Sequence, residues 1–173
     1  MLTTIDTVCG ELHNYFEDKR VIGDYTIENG RITLPFLVNG QFFRIVGSKF
    51  NDGVYIYADN YIILDVTWEE LFEDNPDWQA ISARAYADIA RRELADETFH
   101  GAIWPMNMPR AFLRTCKDVE EYMLSDAGKP SGFTSENISG FYSYTKGNVT
   151  DTAWQNVFKS TLNRYRKAAN IWT

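Results

Sequence analysis

The stretch Tyr25-Thr-Ile-Glu-Asn-Gly-Arg-Ile-Thr-Leu-Pro-Phe-Leu37 decides the fold class that the sequence predicts. Apolar and polar residues alternate on both sides of Asn29-Gly30. An Asn-Gly pair between two such runs is a strong signal for a β-hairpin, because a type I′ turn needs positive φ at both central residues. Pro35 indicates an edge strand or a bulge, since proline cannot donate to a sheet ladder. The stretch therefore predicts antiparallel strands.

Strand signals continue after this stretch. Asn39-Gly40 and Asn51-Asp52-Gly53 are further turn signals, and each precedes a run rich in β-branched and aromatic residues. These runs lie at residues 41–46, 54–57 and 61–64. Together with the first stretch they predict a compact antiparallel meander of about four or five strands over residues 21–65.

Helical periodicity flanks the meander on both sides. Residues 4–18 carry apolar side chains at three- and four-residue spacing, which places them on one stripe of a helix. Thr67-Trp-Glu-Glu70 has the residues of a capping box, in which Thr67 and Glu70 satisfy each other's backbone amides. Further helices are predicted over residues 76–94, 109–124 and 151–170, and residues 97–104 are predicted to be extended.

The predicted fold class is α+β, a helical bundle with an inserted antiparallel β-meander subdomain. The bundle comprises residues 1–20 and 66–173, and the meander comprises residues 21–65. A chain of 173 residues fits one domain with such an insertion, and it is long enough to bury a sizeable core.

Composition argues against several classes of protein. Apolar residues make up 45% of the chain, which argues against disorder. No apolar run approaches the roughly 20 residues that span a membrane, and the N-terminus lacks the basic start and apolar segment of a signal peptide. The chain is therefore expected to be made in the cytoplasm and to bind no membrane. Its net charge of -7 disfavours non-specific binding to nucleic acid.

Charge is distributed unevenly along the chain. Residues 65–77 contain six acids and no base, whereas residues 146–173 contain five bases and one acid. Two interpretations are open. Each segment can be a solvated face, or the acidic middle and the basic end can attract neighbouring copies of the chain in a ring.

The sequence contains no recognisable pattern for catalysis or metal binding. His13 and His100, the two histidines, are not at metal-ligand spacing, and HExxH and CxxC motifs are absent. Gly47-Ser-Lys49 lacks the spacing and order of a phosphate-binding loop. Cys9 and Cys116 fall on apolar helix faces and are predicted to be buried free thiols. The sequence therefore predicts no catalytic residue, no metal and no cofactor, and indicates that the chain is not an enzyme.

Two groups of side chains have both a structural and a functional interpretation. The carboxylates of residues 69, 70, 73 and 74 resemble a general acid–base pair or a calcium site, but they also fit a solvated helix face. Aromatic residues of the meander form either a stacking platform for sugar or single-stranded nucleic acid, or part of the core. These aromatic residues are Phe42, Phe43, Tyr55, Tyr57 and Tyr61.

A segment near the C-terminus is similar to a known family. Ser135-Glu-Asn-Ile-Ser-Gly-Phe-Tyr-Ser-Tyr144 follows a loop rich in glycine, serine and proline and precedes the last predicted helix. It resembles an element of the small head–tail connector proteins (adaptor or head-completion proteins) of long-tailed bacteriophages and prophages. Residues 43–54 and 96–103 also look like segments of prophage structural proteins of Gram-positive hosts. Connector proteins of this type resemble small helical bundles with a β-hairpin.

The resemblance implies a non-enzymatic virion protein that is made in the host cytoplasm. It would form a homo-oligomeric ring, commonly of twelve copies, between the portal protein and the tail or neck proteins, with DNA at most passing through the lumen. Rings arise when a head-to-tail contact closes by rotation. The alternatives are another phage neck or tail-terminator protein, and a carbohydrate- or peptide-binding β module built on the meander.

The interface of such a ring is predicted in the last helix and in the segment before it, since tyrosine, tryptophan and arginine are typical interface anchors. For the three aromatic residues of the helix the alternative is a place in the core, whereas its two arginines are expected to be exposed. The predicted interface residues are Tyr142, Tyr144, Trp154, Phe158, Arg164, Tyr165 and Arg166.

Overall fold

The computed structural model describes residues 1–86, 93–125, 136–139, 141–144 and 153–167. Five strands form the main sheet: β1 (Val21–Ile27), β2 (Gln41–Val46), β3 (Gly53–Ala58), β4 (Tyr61–Ile63) and β5 (Glu97–Met106). Their order is β1-β5-β2-β3-β4, and every neighbouring pair is antiparallel.

The position of β5 corrects the predicted fold class. β5 lies between β1 and β2, so a strand from beyond the predicted meander pairs with both. The prediction of a helical bundle with an inserted β-meander is therefore wrong, and the fold is a mixed α/β fold centred on the sheet. The physical reason is that the described helices are short, and their apolar faces are buried against the sheet. The division into residues 1–20 with 66–173 and residues 21–65 stays a prediction.

The turn at Asn29-Gly30 is confirmed. The two residues have positive φ, 52° and 73°, and Glu28 and Arg31 exchange backbone hydrogen bonds across them. Beyond the turn, Arg31 also forms a bridge with Tyr61 at the start of β4. The chain after β1 thus connects the two edges of the sheet, and the sheet curls.

The sheet separates two apolar cores. The inner core contains residues of all five strands and of the segment after β1: Tyr25, Ile27, Ile32, Leu34, Leu37, Phe43, Ile45, Tyr57, Ile62, Leu94, Phe99 and Ile103. The outer core lies between the opposite face of the sheet and the helices. Its fully buried members include Ile5, Val8, Cys9, Ile56, Ile63, Phe112, Cys116 and Val119.

Six short helices are described: α1 (Leu2–Glu11), α2 (Trp68–Phe72), α3 (Trp78–Tyr86), α4 (Arg110–Leu124), α5 (Trp154–Val157) and α6 (Lys159–Leu162). α1 ends well before residue 18 because His13 and Phe16 adopt positive φ, which a helix cannot continue through. The capping box of α2 is confirmed, with hydrogen bonds of 3.2 and 2.9 Å between Thr67 and Glu70. No helix in the described part of the chain is long and apolar enough to cross a membrane.

A hairpin stands apart from the main sheet. β6 (Glu136–Ser139) and β7 (Phe141–Tyr144) pair with each other in a separate two-stranded antiparallel sheet. Both strands lie in the segment that resembles connector proteins.

Candidate functional site

The C-terminal segment packs its aromatic side chains against its own chain. Trp154, Phe158 and Tyr165 are partly buried against the outer core. The ring centroid of Tyr165 lies 5.2 Å from that of Phe112, and the side-chain amide of Asn14 donates to the Tyr165 carbonyl (2.7 Å). These three predicted interface residues therefore anchor the segment on the domain.

The two predicted interface arginines have different surroundings. Arg166 donates from Nη1 to the carbonyl of Glu11 (3.0 Å), and its Nη2 lies 3.4 Å from the Glu11 carboxylate. Arg164 is exposed and lies over the ring of Tyr165, 4.7 Å from the centroid. Arg166 thus holds the segment against the end of α1, while Arg164 remains at the surface.

The two predicted interface tyrosines lie in the separate hairpin. Tyr142 is opposite Ile138 and Tyr144 is opposite Glu136 in the register of β6 and β7. Because they are two residues apart in one strand, both are placed on the same face of the hairpin. The structure therefore assigns the predicted interface residues to two places, the C-terminal segment on α1 and α4, and the hairpin.

The acidic segment at residues 65–77 is largely paired within the chain. Three cations bind four of its six acids: Arg84 binds Asp65 and Glu70, Lys117 binds Glu69, and Arg110 binds Asp74. Hydrogen bonds from Arg84 and from the Thr67 backbone lower the pKa of Glu70 to about 2. Much of the negative charge is thus compensated inside the molecule.

The aromatic residues of the strands belong mainly to the cores. Phe42, Phe43 and Tyr57 are 6%, 0% and 5% exposed, and the Tyr57 hydroxyl hydrogen-bonds the side-chain oxygen of Asn60 at 2.7 Å. These rings do not offer a free surface on which a sugar or a base can stack.

A cluster of arginine and aromatic side chains, which the sequence did not single out, lies on the side of the sheet that carries the outer core. The arginine–tryptophan cluster consists of Tyr15, Arg20, Arg44 and Trp104. The Arg44 guanidinium lies 3.9 Å from the Tyr15 ring centroid and 5.4 Å from that of Trp104. Arg20 lies over the Trp104 ring at 4.2 Å. Burial, and then the charge of the nearby Asp6 carboxylate, raises the pKa of Tyr15 to about 12.

A second feature is the loop at residues 48–51, whose carboxylate partner the sequence did not indicate. The carboxylate of Glu97 accepts hydrogen bonds from the Ser48 hydroxyl (2.5 Å), the Lys49 amide (2.8 Å) and the Asn51 side chain (3.0 Å). These bonds, led by the one from Ser48, lower the pKa of Glu97. The loop that superficially resembles a phosphate-binding loop thus binds a carboxylate of its own chain.

The cysteines and histidines have ordinary structural surroundings. Cys9 and Cys116 are buried, as predicted, and burial raises the pKa of both thiols. A protonated, buried thiol is a poor nucleophile. His100 lies on the exposed face of β5, with Nδ1 2.9 Å from the Asp24 carboxylate. Among the described residues no three metal-ligating side chains come together.

The comparisons add no relative to these observations. The chain matches no family model, and no curated protein or solved structure is significantly similar to it. The chemistry of its surfaces is therefore the basis on which its function can be proposed.

Proposed function

We propose that this chain is a non-enzymatic structural protein of a virion, a head–tail connector that forms a ring between the portal and the tail. The observation that carries the proposal is the hairpin. The segment that resembles connector proteins forms a two-stranded sheet of its own, separate from the main sheet.

An isolated two-stranded hairpin is marginally stable in water, and strands of this kind gain stability by packing on another surface. A neighbouring copy or a portal subunit would provide that surface. If the same contact recurs from copy to copy and closes by rotation, the product is a ring. The hairpin thus supports an assembly role.

Exposed apolar residues at the ends of α4 and α5 also support an assembly role. Leu124, at the end of α4, is 76% exposed, and Val157, at the end of α5, is 47% exposed. They are neighbours in sequence of Tyr122 and Phe158, whose ring centroids are 5.8 Å apart. This ring contact brings α4 next to the end of α5, and exposed apolar patches are typical of protein interfaces.

The experiment is size-exclusion chromatography with light scattering of the chain, alone and mixed with portal rings encoded by the same genome. The proposal predicts a monomer or weak oligomer alone and a stoichiometric complex on the portal. Replacing both hairpin tyrosines, Tyr142→Ser with Tyr144→Ser, should abolish the complex. The matched control is Phe50→Ser, which removes a 61% exposed aromatic residue from the loop between β2 and β3 and should leave the complex intact.

Two results would contradict the proposal. One is a chain that never joins the portal. The other is a complex that survives loss of both tyrosines but not of Phe50. Copurification with the tail tube in place of the portal would favour a neck or tail-terminator protein, the second structural role that the resemblance allows.

A further inference from the structure

Arg44 occupies an unusual position for a cation. It lies in the middle of β2, opposite Val54 of β3 and Trp104 of β5, and it is only partly exposed. Its guanidinium lies against the Tyr15 ring and close to the Trp104 ring. A guanidinium stacked in this way keeps its in-plane N–H groups available for an acceptor.

Arg44 has no hydrogen-bonded acceptor among the described residues, although the Asp6 carboxylate acts on the same Tyr15 side chain and its Oδ1 is also buried without a partner. Its Nε is buried without a hydrogen-bond partner, and none of its nitrogens forms an ion pair or hydrogen bond to a described side chain or carbonyl. In contrast, Arg84 and Arg110 are 43% and 49% exposed and are paired with carboxylates. Burying a polar donor without an acceptor is unfavourable, so the buried Nε of this partly exposed arginine calls for a physical explanation.

Two further donors lie beside Arg44. The indole Nε1 of Trp104 is also buried without a partner. On the same indole lies the guanidinium of Arg20, whose pairing with Glu17 is long, at 3.5 Å. Two positive charges thus lie close to one indole ring whose N–H has no hydrogen-bond partner.

We propose that Arg44, Trp104 and Arg20 form a binding site for one oxyanion group, a carboxylate or a phosphate. Charge-assisted bonds from guanidinium groups to such acceptors are among the strongest hydrogen bonds in proteins. The acidic neighbours Asp6 and Glu17 limit the site to a single anionic group, because they repel a polyanion such as nucleic acid. The site does not depend on the proposed ring.

The test is a titration followed by the indole N–H resonance of Trp104 in a ¹H–¹⁵N spectrum, assigned with a Trp104→Phe variant. Sodium phosphate and sodium acetate are the two probes, and sodium chloride at equal ionic strength is the control. A saturable shift is expected with one or both oxyanions and not with chloride. The probe that binds with the lower dissociation constant shows whether the site prefers a phosphate or a carboxylate.

Variants separate binding from folding. Arg44→Met keeps an unbranched stem under Tyr15 and removes a buried Nε that has no hydrogen-bond partner, so we expect an unchanged or higher melting temperature and at least tenfold weaker oxyanion binding. Arg20→Gln changes an exposed side chain and should weaken binding several-fold without affecting the fold. The matched control Arg114→Met removes an exposed arginine that stacks on Phe72, 5.9 Å from its centroid, and should leave binding unchanged.

Three outcomes overturn the proposal. The first is a saturable shift of the indole resonance with chloride equal to the shift with the oxyanions. The second is oxyanion binding by Arg20→Gln and by a folded Arg44→Met that is as tight as binding by the parent chain. The third is a single-stranded oligonucleotide that binds far more tightly than phosphate at matched salt. That result would make the surface a nucleic-acid site and not a site for one oxyanion group.

Discussion

At residue 101, β5 has no room for a side chain. A Cβ at Gly101 would lie 2.4 Å from the carbonyl oxygen of Val46 and 2.9 Å from the Phe99 ring. The Val46 backbone cannot shift easily, because Val46 pairs with Ala102 in the β2–β5 ladder. Gly23, directly opposite in β1, would meet only Tyr25 at 3.6 Å or more. The close approach of β2 and β5 therefore depends on one glycine of this pair and not on the other.

Gly101→Ala should lower the free energy of unfolding by about 1–3 kcal/mol, the range for overpacking a well-packed site. Gly23→Ala is the matched control and should change it by less than about 0.5 kcal/mol. Urea denaturation followed by circular dichroism measures both. Equal effects of the two substitutions would contradict the arrangement of β5 between β1 and β2.

Because Glu97 binds the loop at residues 48–51, its ionisation should make the stability of the fold depend on pH. Because its pKa is lower in the folded chain than its ordinary value of 4.5, the ionised carboxylate stabilises the fold above that value, and this contribution is lost as the pH falls through the folded pKa. Glu97→Gln should therefore lower the melting temperature at pH 7, and the difference from the parent chain should shrink below pH 4. The exposed Glu121→Gln is the control. A difference that is constant from pH 7 to pH 3 would contradict this account.

Elements defined by local chemistry were predictable, and elements defined by distant pairing were not. The Asn29-Gly30 turn and the Thr67 capping box follow from interactions within four residues, so the sequence alone predicted them. The position of β5 between β1 and β2 depends on pairing between residues more than fifty positions apart in the sequence, such as Val46 opposite Ala102. No local pattern specifies such a pairing, and this is why a helical bundle was predicted where a sheet is central.

The capping box of α2 is also an anchor for α3, because Arg84 of α3 binds the Glu70 carboxylate at 2.7 and 3.0 Å. Glu70→Ala should destabilise the chain by about 1 kcal/mol at neutral pH, a value reduced for the partial exposure of the pair. Glu69→Ala, its exposed neighbour, is the control and should have little effect.

The pH profile gives the Glu70 prediction a second readout. The folded pKa of Glu70 is about 2, below its ordinary value of 4.5, so its stabilising contribution is complete above pH 4.5 and disappears as the pH falls toward 2. Melting curves of Glu70→Ala and of the parent chain should converge over that interval. Curves that stay parallel down to pH 2 would contradict the Arg84–Glu70 pairing.

At the scale of the whole molecule, the charge asymmetry of the sequence is much smaller in the fold. Four of the six acids at residues 65–77 are paired with cations of the same chain, and Arg166 is held by Glu11. Counting charges along the sequence could not predict these pairs, since their members are 14 to 155 residues apart by their numbers, as in Glu70–Arg84 and Glu11–Arg166. The same holds for the arginine–tryptophan cluster, whose members come from three separate segments.

Arg164 is the exposed basic residue through which an electrostatic contact between copies can be tested most cleanly. Arg164→Glu should leave the melting temperature of the free chain unchanged, because Arg164 contacts only the Tyr165 ring among the described residues. It should weaken assembly on the portal, as measured by sedimentation, whereas Arg114→Glu should not. If the Arg164 variant assembles normally, the proposal that the basic end contributes to the interface is contradicted.

The role of the hairpin as an assembly element is tested most directly by hydrogen–deuterium exchange. The amides of β6 and β7 should exchange rapidly in the free chain and become strongly protected on the portal ring, while those of β5 should be protected in both states. Hairpin amides that are already protected in the free chain, or that remain unprotected in the assembled ring, would contradict the account.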